Sequence, residues 1–112
     1  MFRSFYRLLI IAFSILPTLA NAAVNITATR VWPAADYTRI TIEASSEISQ
    51  KMLLLKDPDR LVLDLDGVDL NANLKALANQ ISPNDPYIKQ VRVGNFKPGT
   101  VRVVIDLKVE VK

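Results

Sequence analysis

Arg60-Leu61-Val62-Leu63-Asp64-Leu65-Asp66 is the stretch that decides the fold. Leu61, Leu63 and Leu65 alternate with Arg60, Val62, Asp64 and Asp66. Successive side chains of an extended chain point to opposite faces, so this pattern describes a strand with a leucine face turned to a core and a mostly polar face turned to water. On a helix the same leucines would spread around the surface, because residues three and four apart share a helical face. Two other segments repeat the reading. Arg39-Ile40-Thr41-Ile42-Glu43 and Arg102-Val103-Val104-Ile105-Asp106 keep the same order: arginine, apolar, Val or Thr, apolar, carboxylate.

Weaker strands are expected at 25–32, 51–55 and 88–94. Turn chemistry separates them at Pro33 to Asp36, at Asp57-Pro58-Asp59 and at Lys97-Pro98-Gly99. Strands with one buried and one solvated face build sandwiches rather than parallel α/β sheets. The expected fold is an all-β sandwich of two similar small sheets. One segment departs from alternation: Leu70, Leu74, Leu77, Ala78 and Ile81 recur at helical spacing, with Asp69 as N-cap and Ser82-Pro83 as the stop. This predicts one short helix over an open end or edge of the sheets, its apolar stripe in the core.

The repeats suggest two structural halves. Arg30-Val31-Trp32 precedes the first repeated arginine, and Arg92-Val93-Gly94 stands at a matching distance before the third. The first half continues through a hairpin, Lys51–Leu55 into Arg60–Asp66, that the second half does not repeat. Residues 109–112 are expected to begin a strand whose partner is absent, which makes 23–112 a domain lacking its final strands.

Residues 1–22 read as an export signal. Arg3 and Arg7 make a positive start, Leu8 to Leu16 is apolar apart from Ser14, and Ala20-Asn21-Ala22 presents small residues for cleavage after Ala22. The apolar run is shorter than the roughly 20 residues that cross a bilayer. The arginines are not adjacent, which favours the general export route over the twin-arginine one. No membrane span is expected after cleavage. Of the fourteen basic residues twelve then remain against eleven acidic ones, a net charge of +1. That balance gives no support to nucleic-acid binding.

The chain contains neither histidine nor cysteine. Ser-His and Cys-His nucleophilic catalysis are excluded, and the usual ligands of a catalytic zinc are missing. No cofactor, metal or catalytic residue is expected. Stability must come from packing, without disulfides.

The outward positions hold the candidate binding residues: Arg39, Arg60, Asp64, Arg92, Arg102 and Asp106, with Trp32 beside them. A ladder of cross-strand ion pairs that keeps the sheet soluble and in register is one account of them. Recognition is the other, since arginine forks suit bidentate pairing with carboxylates. Phe96 is expected to pack in the core and Tyr87 in a loop, while Trp32 fits either a core or an exposed stacking role.

Three motifs in order resemble the AMIN domain: Asp57-Pro58-Asp59-Arg60-Leu61-Val62-Leu63-Asp64-Leu65, Val91-Arg92-Val93-Gly94-Asn95-Phe96-Lys97-Pro98 and Val101-Arg102-Val103-Val104-Ile105-Asp106-Leu107. The likeness spans about 30–110. It implies two similar sheets with motif residues on their outer faces, and a periplasmic role in binding peptidoglycan and placing a parent amidase at the division septum. That parent would cut the bond between N-acetylmuramic acid and L-alanine through a separate zinc-dependent domain. AMIN-like domains also occur in secretins of the type IV pilus system. Docking on a secretin or divisome-associated envelope protein is therefore the alternative function.

Overall fold

The alternating segments become strands throughout. The computed structural model describes residues 23–110. It contains β1 (Ile26–Pro33), β2 (Thr38–Ala44), β3 (Ser49–Leu55), β4 (Arg60–Asp66), β5 (Ile88–Lys97) and β6 (Thr100–Leu107). Between β4 and β5, helix α1 (Ala72–Lys75) runs directly into a 3₁₀ turn, Ala76–Asn79. The export signal expected at 1–22, with its cleavage point, lies outside the described residues. Among the described residues no helix is long and apolar enough to cross a membrane.

All the strand pairs are antiparallel. β1 and β2 form a two-stranded sheet, and the other four form a sheet in the order β3-β4-β6-β5. The two segments with the strongest alternation, β4 and β6, are the central pair of the larger sheet. Their inward residues Leu65, Val101, Val103 and Ile105 are buried and cluster with Ile26, Val91, Leu74 and Leu77. The β5–β6 hairpin turns at Pro98-Gly99, where Gly99 has φ +82°, a conformation that glycine adopts without a Cβ clash.

The repeat read from the sequence reappears as a repeat of register. Trp32 faces Arg39 in the β1–β2 pair, and Gly94 faces Arg102 in the β5–β6 pair. Likewise Val31 faces Ile40 and Val93 faces Val103, while Arg30 faces Thr41 and Arg92 faces Val104. Even the ion pair recurs: Arg30 Nε lies 3.5 Å from Glu43 Oε2, and Arg92 Nε 3.0 Å from Asp106 Oδ2. In the larger sheet β4 lies along the free side of β6. The corresponding side of β2 carries no strand among the described residues. Val109 and Glu110 belong to no strand, and the rest of the strand expected at 109–112 falls outside the described residues.

The helical segment is shorter than its apolar spacing suggested, and its cap differs. Asn71, not Asp69, is the N-cap: its side-chain oxygen accepts from the Leu74 amide at 3.0 Å. Asn71 also donates to the Ile26 carbonyl at 3.0 Å, which ties the helix start to β1. An Asp there could accept but not donate. Leu74 and Leu77 are fully buried, whereas Ala78 is exposed. The chain tightens to three residues per turn after Lys75, which stacks Leu77 over Leu74 and rotates Ala78 outward. Gln80 donates to the carbonyl and hydroxyl of Thr29, and Asn73 to the Ile26 carbonyl. The segment thus spans β1 on one side and β5 on the other, closing one end of the sandwich.

Asp85, absent from the sequence reading, fastens the smaller sheet to the larger one. It is 1% exposed, accepts from the Tyr87 and Ile88 amides at 2.9 Å each, and accepts from the Thr38 hydroxyl at the start of β2. Lys108 beyond β6 donates to the Asp85 carbonyl at 2.7 Å and the Pro83 carbonyl at 3.0 Å. Tyr87 reaches the Ala35 carbonyl through its hydroxyl, across the same junction. The smaller sheet leaves part of the larger sheet's inner face uncovered, and a groove of about 710 Å³ lined by Tyr37, Ile40, Ile42, Met52 and Leu61 remains between them.

Two substitutions test this architecture. Leu77→Ala removes a core side chain that holds the closing segment and is expected to lower unfolding free energy by about 3 kcal/mol in urea titration. Asp85→Ala strands the buried Ile88 amide and the half-buried Tyr87 amide and is expected to cost about 2–3 kcal/mol. The same substitution should increase hydrogen exchange at Tyr87 and Ile88 ahead of the β4–β6 core.

Candidate ligand-binding face

Register places the outward side chains of the larger sheet in rows that run across the strands, and three successive rows hold the candidate residues. One row is Lys51, Asp64, Arg102 and Gly94; the next is Leu53, Val62, Val104 and Arg92; the third is Leu55, Arg60, Asp106 and Gln90. The middle row is largely apolar. Val62, on the outward face as its alternation requires, is nonetheless only 6% exposed.

The charges are paired across strands. Arg102 on β6 meets Asp64 on β4 in a bidentate fork, Nε to Oδ1 at 2.8 Å and Nη2 to Oδ2 at 3.0 Å. Arg92 on β5 meets Asp106 on β6 the same way, with both contacts at 3.0 Å. Gln90 adds a third donor to Asp106 at 2.8 Å, and the Thr100 hydroxyl donates to Asp66 at 2.8 Å. Arg60 faces Asp106 in register, but its Nη1 donates to the Pro58 carbonyl at 3.2 Å in the preceding turn. Each fork spends Nε and Nη2 on its aspartate, so the Nη1 edges point to no protein acceptor among the described residues. A planar guanidinium with one edge held and one edge free can bind an acceptor from solution.

Phe96 corrects the expectation of core packing. It is 50% exposed, and the Arg102 guanidinium sits 3.6 Å from its ring centroid. Phe96 stands two residues after Gly94 and four after Arg92 on β5, so alternation gives it their outward face. The ring therefore flanks the outward face, where a stacked cation is favoured. Alternation already assigned this face; the expectation of core packing rested instead on the usual burial of aromatic side chains.

The seven candidate residues divide between two surfaces. Arg60, Asp64, Arg92, Arg102 and Asp106 share the outer face of the larger sheet. Arg39 and Trp32 form a cross-strand pair on the smaller sheet, whose inner face is the one turned toward the larger sheet. Trp32 is 54% exposed. Arg39 is the counterpart of Arg102, but among the described residues it meets no carboxylate, since the strand that supplies Asp64 to Arg102 has no equivalent beside β2. Sequence reasoning passed over Gln90, whose amide completes the Asp106 cluster.

The electrostatics follow from this geometry. The hydrogen bond from Arg102 holds Asp64 below the ordinary carboxylate range, against a smaller opposing effect of burial. Burial pushes Asp106 up, but hydrogen bonds from Arg92 and Gln90 with the Arg92 charge outweigh it and leave the group lowered. Asp85 behaves alike: burial raises it, and the Tyr87 and Ile88 amides, Thr38 and Lys108 bring it below the usual range. Arg92 and Arg102 are correspondingly raised by their aspartates.

The described residues form a small all-β sandwich whose outer face carries paired arginine forks. The AMIN domain model matches residues 28–112, so the chain belongs to the AMIN domain family. The chain is 47% identical over 91 residues to N-acetylmuramoyl-L-alanine amidase AmiC of Escherichia coli O6:H1, a match covering 81% of this chain and 22% of that protein. It is 40% identical over 86 residues to the protein of the same name from Neisseria meningitidis serogroup B, covering 77% of this chain and 21% of the relative. The chain thus spans about a fifth of the length of these relatives.

The lowered carboxylates set the acid stability. A depressed folded pKa contributes stability that is complete above the ordinary carboxylate value of about 4 and is lost as pH falls through the folded value. Urea midpoints are expected to stay level from neutral pH to about pH 5 and to drop at lower pH. Asp106→Asn and Asp85→Asn should each make the acid decline shallower.

Proposed function

We propose that this chain is a non-catalytic, peptidoglycan-binding and localisation module of a periplasmic N-acetylmuramoyl-L-alanine amidase, holding the enzyme at the septal wall during remodelling and daughter-cell separation. The observation that carries the reading is the outer face of the larger sheet. Arg92 and Arg102 are each braced by an aspartate and each keep one guanidinium edge free, beside an exposed aromatic ring. Peptidoglycan offers that face carboxylates, amide carbonyls and sugar hydroxyls on an extended polymer. Family membership and the names of the two relatives support the amidase parent.

In this reading the catalytic step belongs to another part of the parent. The chain has no histidine or cysteine with which to build the customary zinc site. Residues 1–22 act as an export signal cleaved after Ala22, the module occupies 23–112, and the open side of β2 is where further strands complete the smaller sheet. Arg39 there awaits the kind of carboxylate that Asp64 gives Arg102.

Purified sacculi test the proposal. The chain is expected to co-sediment with them, and the Arg92→Ala, Arg102→Ala double variant to lose retention by about tenfold while keeping its circular dichroism spectrum. Retention should also weaken with added salt, because exposed guanidinium contacts are screened. Recovery no better than that of an unrelated β-sandwich would refute wall binding; capture of an envelope protein in its place would favour the docking function.

A further inference from the structure

Gly94 stands in the middle of β5, where a glycine weakens a strand through added backbone freedom and a missing side chain. Neither usual reason for tolerating it applies. The residues with left-handed φ are Asp57, Gly67 and Gly99, so the backbone at 94 is one that any residue adopts. A Cβ built on Gly94 meets no atom within 4 Å, so no neighbour crowds the position. The counterpart in the β1–β2 pair is Trp32, the largest side chain available. The same register position thus carries a protruding indole on one face and a gap on the other.

The gap has chemically distinct walls. Arg92 and Phe96 lie to either side along β5, Arg102 is directly opposite on β6, and Val104 joins them in lining a shallow notch of about 260 Å³. The two guanidinium groups are already balanced by Asp106 and Asp64, which makes the notch better suited to a neutral acceptor than to a second full negative charge. Their free Nη1 edges can donate to a carbonyl oxygen. Val104 and the Phe96 ring offer apolar contact to a methyl group beside it.

Resting on the wall-binding function above, we propose that the Gly94 notch is the subsite for the acetamido group of an N-acetylated amino sugar. The carbonyl oxygen accepts from Arg92 or Arg102, and the methyl lies against Val104 and Phe96. Gly94 is the specificity-determining residue, because any branched side chain there occupies the notch itself.

Retention of the full chain on intact sacculi and on chemically de-N-acetylated sacculi tests this, with Gly94→Ala and Gly94→Val alongside. Valine suits a strand, so Gly94→Val is expected to unfold at the same temperature as the parent or higher. It should bind intact sacculi about tenfold more weakly, with Gly94→Ala intermediate between it and the parent. De-N-acetylation should bring the parent down to the Gly94→Val level and leave that variant unchanged. Equal binding by a folded Gly94→Val variant, or equal retention of the parent on de-N-acetylated sacculi, would overturn the notch assignment and leave wall binding intact. Failure of the parent chain on intact sacculi would overturn both.

Discussion

The pairing of β4 with β6 is the constraint on which the molecule depends. It joins segments about forty residues apart and fixes both faces of the larger sheet with one register. With Leu63 opposite Val103 and Leu65 opposite Val101, the inner face is apolar without interruption. The same choice sets Asp64 opposite Arg102 on the outer face. A slip by one residue would turn the leucines to water and the aspartates to the core, so hydrophobic burial enforces the placement of the charges. The charged outer surface and the core that stabilises are thus two readings of one hydrogen-bond ladder.

Around that pair the fold is assembled by short polar ties rather than by a large core. Leu74 and Leu77 plug one end, but Asn71, Asn73 and Gln80 position them by hydrogen-bonding to β1. Asp85 performs the equivalent task at the junction of β2 and β5. Each ties a backbone group of one element to a side chain of another, and Asp85 in addition satisfies the buried Ile88 amide.

Much of this was legible in the order of residues. Period-two alternation located β2, β4 and β6, and the repeated arginine–carboxylate pattern anticipated a repeat that the registers of β1–β2 and β5–β6 share residue for residue. The division of Arg39 and Trp32 from the other candidates was hidden, since alternation assigns a face without saying which sheet owns it. The cap at Asn71 and the outward turn of Ala78 were hidden too, because a switch to 3₁₀ geometry depends on contacts with β1. Phe96 was misplaced because the usual burial of aromatic rings was weighed above its alternation with Arg92 and Gly94. Asp85 and Gln90 gave no signal, because their roles exist only once distant strands have met.

The braced arginines have a further consequence. A free arginine side chain samples many rotamers, and a ligand that captures one must bring that sampling to an end. Asp64 and Asp106 have already done so for Arg102 and Arg92, by fixing two nitrogens of each guanidinium before anything arrives. In the proposed function the face therefore offers its ligand a lattice of donors already in place. Contacts made this way can be individually weak and readily exchanged.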